Sequence, residues 1–153
     1  MFFLGSGGMA MRAILAGACV LLVSAGGFAP VVNATSDSQY VLPPSGRYRC
    51  MVSSAATGQA NVACEPSWLN GIPGGFLQGP VGAVVAVDAQ GDLSWNPGAN
   101  IGIGSPADRT PLQYGNSYKV NEWTVVCGVD GTRFTNNNTG HGMFVSIENV
   151  YAF

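Results

Sequence analysis

Two side chains in this sequence have the makings of a reaction centre: the thiol of Cys127 and the imidazole of His141, the only histidine. A base within hydrogen-bond reach of a thiol draws off its proton and leaves a nucleophilic thiolate. Such a pair would serve a small extracellular hydrolase or thiol enzyme. Other chemistries have less to draw on. Zinc needs three or four ligands from His, Cys and carboxylates, and one histidine with one nearby thiol is a poor set. No metal and no cofactor is expected. A serine triad built on a Gly-x-Ser-x-Gly nucleophile turn is excluded, because that pattern does not occur. The stretch NNNTGHGM (Asn136–Met143) sets His141 between two glycines behind a polar run. That is the composition of a turn, so the expectation is a loop histidine and no catalytic residue.

Whether Cys127 and His141 can meet depends on the strands that carry them. Gly and Pro recur too often after residue 34 for helices of ordinary length. Short alternating segments between turn residues appear instead, the strand signature. Four hairpins can be put in register. Between RYRCMVS (Arg47–Ser53) and NVACE (Asn61–Glu65), setting Cys50 opposite Cys64 also sets Val52 opposite Val62, all on one face. That register admits a Cys50–Cys64 disulfide. In VVAVDAQGDLSW a three-residue Ala89-Gln90-Gly91 loop sets Val87 against Leu93 and Val85 against Trp95. In YKVNEWTV an Asn121-Glu122 turn sets Tyr118 and Val120 against Val125 and Trp123. In WTVVCGVDGTRFTN an Asp130-Gly131 turn would put Cys127 opposite Phe134 on an apolar inner face. Cys127 is then a buried, inert thiol. The closing segment GMFVSIENVYAF reads as one last strand, with Met143, Val145 and Ile147 inward and its aromatic end pinned into the sheet. The expected fold is all-β, a single-domain antiparallel sandwich or small barrel of about seven or eight short strands.

The first 34 residues belong to a different kind of sequence. Arg12 precedes a run from Ala13 to Val32 without a charged side chain, ending in Val32-Asn33-Ala34. A basic start, an apolar middle and small residues at the −3 and −1 positions describe a secretory signal peptide spanning residues 1–34. A retained membrane anchor is the rival, since the run is long enough to span a bilayer, although Gly26-Gly27 and Pro30 break it near its end. Cys19 would leave with the signal. Residues 35–153 then form one domain, secreted or held in the cell envelope, with no membrane span after cleavage. Five scattered basic residues against eight acidic ones give no basic patch, so no nucleic-acid partner is expected.

Contact residues are expected on the connection PSWLNGIPGGFLQGP (Pro66–Pro80), which mixes turn formers with Trp68, Ile72, Phe76 and Leu77. Large apolar side chains on a loop mark a partner surface, or fold back as a lid over one open end of a small core. Asn96–Pro111 is a second long connection that would line the same end. Trp68 and Trp95 are candidate stacking platforms for sugars, against the commoner fate of tryptophan in a core.

The segments DGTRFTNNNTGHGMFVSIENVYAF, LQYGNSYKVNEWTVV and GDLSWNPGANIGIG resemble a group of small exported mycobacterial proteins of unassigned function, over most of the chain from about Gly46. The resemblance implies export from a mycobacterium-like cell and transfers no catalytic residue. Taken together, the sequence points to a non-enzymatic binding or interaction module whose partner is an unknown protein or envelope component.

Overall fold

The computed structural model describes residues 31–32 (backbone only), 37–67 and 74–153. Twelve strands in two six-stranded sheets make up nearly all of the regular structure there. In one sheet, β2 (Ser38–Leu42), β3 (Tyr48–Ser53), β4 (Asn61–Pro66), β5 (Val84–Asp88) and β6 (Leu93–Asn96) follow one another as an antiparallel meander. The chain then crosses to the far edge, where β7 (Arg109–Pro111) lies parallel to β2. The second sheet is another meander: β8 (Ser117–Val120), β9 (Trp123–Cys127), β10 (Thr132–Asn136), β11 (Gly142–Val145) and β12 (Val150–Ala152). A two-residue β1 (Val31–Val32) runs parallel to β8 at its edge. Cleavage after Ala34 would remove β1 and leave β8 as an open edge. The rest of the expected signal segment lies outside the described residues.

The sheets pack face to face as a sandwich. Alternation puts Val41, Cys50, Val52, Val62, Cys64, Val85 and Val87 on the inner face of one sheet. Val120, Trp123, Val125, Cys127, Phe134, Met143 and Val145 meet them from the other. Cys50 and Cys64 are bonded as the register requires, their Cα atoms 4.0 Å apart.

The loop after β6 does not gather at an end of the sandwich. It crosses the outer face of the first sheet, where Ile101 packs against Tyr40, Met51, Ala63, Val84 and Ala86. Three polar ties hold it there: the Tyr40 hydroxyl donates to the Ile101 carbonyl (2.8 Å), the Ile101 N–H donates to Glu65 Oε2 (2.9 Å), and Arg109 Nε donates to the Ile103 carbonyl (2.8 Å). Glu65 is buried, and Arg49 is its charge partner. This crossover explains the parallel β2–β7 pair, because the chain must pass over four strands to reach that edge.

Three of the four hairpin registers are those expected: Cys50 with Cys64, Val87 with Leu93, and Tyr118 with Val125. Gly91 closes the second hairpin with φ +88°, and Asn121 takes φ +51° in the third. The fourth differs. Cys127 pairs with Thr132, and Phe134 pairs with Val125. The turn is centred on Val129-Asp130, with the Gly128 N–H donating to the Gly131 carbonyl at 2.8 Å. Gly131 is needed for a close approach, since a Cβ there would run into the Phe144 ring and the Val145 carbonyl. The shift is two residues, and an even shift keeps every side chain on its face. Cys127 therefore stays inside.

The closing segment is also a hairpin rather than one strand. Ser146 turns the chain, its N–H donating to the Asn149 carbonyl (2.8 Å) while its Oγ accepts from the Asn149 N–H (3.0 Å). The C-terminus is pinned as expected: Phe153 exchanges both backbone bonds with Gly142 at 3.0 Å.

Candidate functional site

Cys127 and His141 do not meet. Cys127 faces Thr132 at one end of β10, while the His141 carbonyl accepts from the Asn136 N–H (2.8 Å) at the other. Four residues of extended chain separate those positions, roughly 13 Å. Burial raises the Cys127 thiol above its ordinary pKa, against a smaller lowering by the Thr132 side chain, the opposite of what a nucleophile requires. Its neighbour Tyr48 is buried as well and pushed up to about 12, chiefly by desolvation. The Tyr48 hydroxyl donates to the Val145 carbonyl (3.0 Å) and shares a 2.9 Å bond with Thr132 Oγ1. This small polar cluster ties the two sheets together. His141 is exposed, with Nδ1 3.2 Å from the Phe153 carbonyl. A carbonyl only accepts, so that contact makes Nδ1 the protonated nitrogen. His141 belongs to a turn that fastens the C-terminus.

The two ends of the sandwich have opposite character. One end carries the β5–β6, β8–β9 and β10–β11 turns, with Gln59, Gln90, Asn138 and Thr139 around a groove. The other carries the segment after β4, the turn between β9 and β10, and the turn between β11 and β12. There, residues 74–82 close on themselves through the Gly82 N–H and the Gly74 carbonyl (3.2 Å), an Ω-type loop whose ends meet.

This loop is pinned from both sheets. The Leu77 N–H donates to the Ile147 carbonyl (2.9 Å), and Gln78 Oε1 accepts from the Val150 N–H (2.7 Å). Gly79 lies flat on the Trp95 ring, where any Cβ would collide. Phe76 drops between the sheets, 5.9 Å from the Trp95 ring and 6.1 Å from Tyr48. At 2% exposure it is a plug for the core and not a contact residue, which corrects the expectation from sequence. Leu77, its neighbour, is 77% exposed. Trp95, covered by Gly79 and edge-on to Phe76, offers no open face for a sugar on that side. Trp68 and Ile72 lie outside the described residues.

Sequence reasoning missed three more exposed apolar side chains at this end: Val81 on the same loop (77% exposed), Val129 at the tip of the β9–β10 turn (85%), and Tyr114 (48%). Val129, Tyr114 and Ile147 line one shallow cleft with Pro43 and the Arg47–Glu148 ion pair (2.8 Å). The Glu148 carboxyl is held below the usual carboxylate range, first by a backbone hydrogen bond and then by Arg47. Since Ile147 also receives the Leu77 N–H, the cleft and the Ω loop adjoin. A signal for Val129 was available in sequence: a β-branched residue between Gly128 and Asp130 at a turn tip has no packing reason to be there.

Comparison with protein-family models, curated proteins and solved structures gave no match. The geometry offers a group of exposed apolar side chains on loops at one end of the sandwich. Among the described residues there is no group of three or more His, Cys, Asp or Glu side chains placed to share a metal ion, and no helix long and apolar enough to cross a membrane.

Proposed function

We propose that this is an exported, non-enzymatic binding module that meets a protein of the cell envelope through the apolar loop end of its sandwich. One observation carries this reading. Four of the seven exposed large hydrophobic side chains among the described residues stand on loops at one end: Tyr114 and Val129 share a cleft with Ile147, and Leu77 and Val81 stand on the Ω loop, which is bonded to Ile147 through the Leu77 N–H. Scattered apolar side chains need no explanation, whereas a cluster rimmed by polar groups marks an interaction surface. The Ω loop is held by hydrogen bonds to the last hairpin, at Ile147 in its turn and at Val150 where β12 begins, so little ordering cost would fall on association. The Cys50–Cys64 bond and the signal-like segment 1–34 support export, as does the resemblance to small exported mycobacterial proteins.

The test compares the wild-type protein with a Leu77→Ser/Val129→Ser variant for co-sedimentation with envelope fractions of the producing cell. Both substitutions are on exposed positions and should leave the fold intact by circular dichroism. Loss of co-sedimentation by a folded variant is the expected result. Undiminished co-sedimentation moves the contact surface elsewhere.

A further inference from the structure

The second sheet carries a further site on its outer face, apart from the loop end. We propose that this face binds a carboxylate-bearing saccharide chain, with Arg133 taking the carboxylate and the neighbouring aromatic rings supporting the sugar.

The register lines up one residue from each strand of the meander. Ser117 lies opposite Val126, Val126 opposite Arg133, Arg133 opposite Phe144, and Phe144 opposite Tyr151. Alternation points all five outward, and Val126, Arg133 and Tyr151 are exposed. The row crosses five strands, about 19 Å at the usual strand spacing. The loop after β6 crosses the outer face of the other sheet, whereas this face is open along the row.

Arg133 is the arginine with donors to spare. Among the described residues, Arg47 and Arg49 are paired with Glu148 and Glu65, and Arg109 donates to the Ile103 and Gly104 carbonyls. Arg133 makes no hydrogen bond there; its guanidinium lies 3.4 Å from the centre of the Phe153 ring. That ring in turn reaches across Gly142, where an added Cβ would stand 3.1 Å from it. Glycine, ring and guanidinium form a stack on the sheet, which places the cation and leaves its N–H groups unspent. A guanidinium held this way takes a carboxylate through two parallel hydrogen bonds with little side-chain freedom left to lose. No outward position of β8 to β12 is acidic, and Lys119 adds a second cation, so the face favours an anion.

Beside that cation, Phe144 and Tyr151 stack with ring centroids 5.2 Å apart and planes 21° from parallel. Tyr151 is 50% exposed. A pyranose sets its apolar C–H face on such a ring while its hydroxyls stay in water. A uronic-acid unit carries that face and a carboxylate on one body, the combination the row can meet. Other anionic partners fit less well. Two cations are too few for the phosphate backbone of a nucleic acid, and rings laid on one another and on the sheet do not insert among lipid chains.

The test titrates the purified protein with trigalacturonic acid and follows the Arg133 Nε–H signal and the Phe144 and Tyr151 amide signals by nitrogen-15 NMR. Maltotriose, a triglutamate peptide and phosphatidylglycerol vesicles are the comparisons. Saturable shifts with trigalacturonic acid are expected, with each comparison binding at least tenfold more weakly. Arg133→Lys keeps the charge without the planar fork, and Tyr151→Ala keeps the cation without the exposed ring. Each should weaken binding tenfold or more while the amide spectrum stays that of the folded domain. Three results overturn the proposal. One is silence of these signals up to about 10 mM trigalacturonic acid, a range in which a charge-assisted pair and a stacked ring must register. A comparison ligand that binds within tenfold of trigalacturonic acid is the second, and it moves the face to a neutral sugar, an acidic peptide or a lipid surface. Binding that either substitution weakens by less than tenfold is the third.

Discussion

Phe76 and Leu77 are adjacent in the chain and face opposite ways, the first sealed between Tyr48 and Trp95, the second almost fully in solvent. A single peptide unit thus separates the plug of the core from the surface offered to a partner. Their substitutions should behave differently. Phe76→Ala is expected to destabilise the domain by about 3–5 kcal/mol, the usual cost of deleting a buried aromatic side chain. Leu77→Ser is expected to stay within about 0.5 kcal/mol of wild type while reducing envelope association. Denaturant unfolding beside the co-sedimentation assay reads both.

Removing the disulfide tests the β3–β4 hairpin. The bond closes a loop between residues 14 apart in sequence, for which chain entropy gives about 3 kcal/mol. A Cys50→Ala/Cys64→Ala variant should lose roughly that much in urea unfolding. It should keep the far-ultraviolet spectrum of a β protein in native buffer.

Cys127 should be silent in the native state. It is buried and its pKa is raised, so in the chain beginning at Thr35, which lacks Cys19, a thiol-alkylating reagent at neutral pH should leave the folded protein unmodified and add one adduct after denaturation. Intact mass spectrometry reports this directly. Rapid alkylation of the folded protein would contradict the inward register of β9.

Tyr48 gives a pH dependence with a definite sign. Its folded value of about 12 stands above the ordinary 10.0 because burial disfavours the phenolate. Below pH 10 the phenol is neutral in both states and its contribution is fully present. Above that, the unfolded chain ionises first and stability falls as pH rises towards the folded value. Tyr48→Phe should remove this alkaline loss. At neutral pH it should cost about 1–2 kcal/mol, because the Val145 carbonyl and Thr132 hydroxyl lose their partner. Thermal unfolding of both proteins across pH 8–12 separates the two effects.

Much of the fold was legible because turn chemistry and alternation act locally. The Ala89-Gln90-Gly91 loop and the Asn121-Glu122 turn fix their strands' partners within a dozen residues, and both registers hold. Asp130-Gly131 misled by two places. The glycine serves an approach by β11, a neighbour no local pattern reveals. The turn at Ser146–Asn149 was missed because a serine side chain does the work that Gly or Pro would have announced. Strand count, the parallel β2–β7 pair and the crossover over Tyr40 depend on contacts distant in sequence. The loop between β4 and β5 was legible as a site of interest but not in its parity. Nothing local says that Phe76 turns in and Leu77 out; the Leu77–Ile147 backbone bond decides it. Asn136 read as loop polarity, and only its inward rotamer shows it as a buried donor.

The central claim is that the apolar loop end is where a protein partner sits. The most direct measurement places a photo-crosslinking residue singly at Leu77, at Val129 and, as a control on an exposed sheet position, at Lys119, in the producing cell. Adducts of one common mass from positions 77 and 129, with none from 119, are predicted. Adducts that differ between 77 and 129, or that appear equally at 119, would contradict a single docking surface at that end.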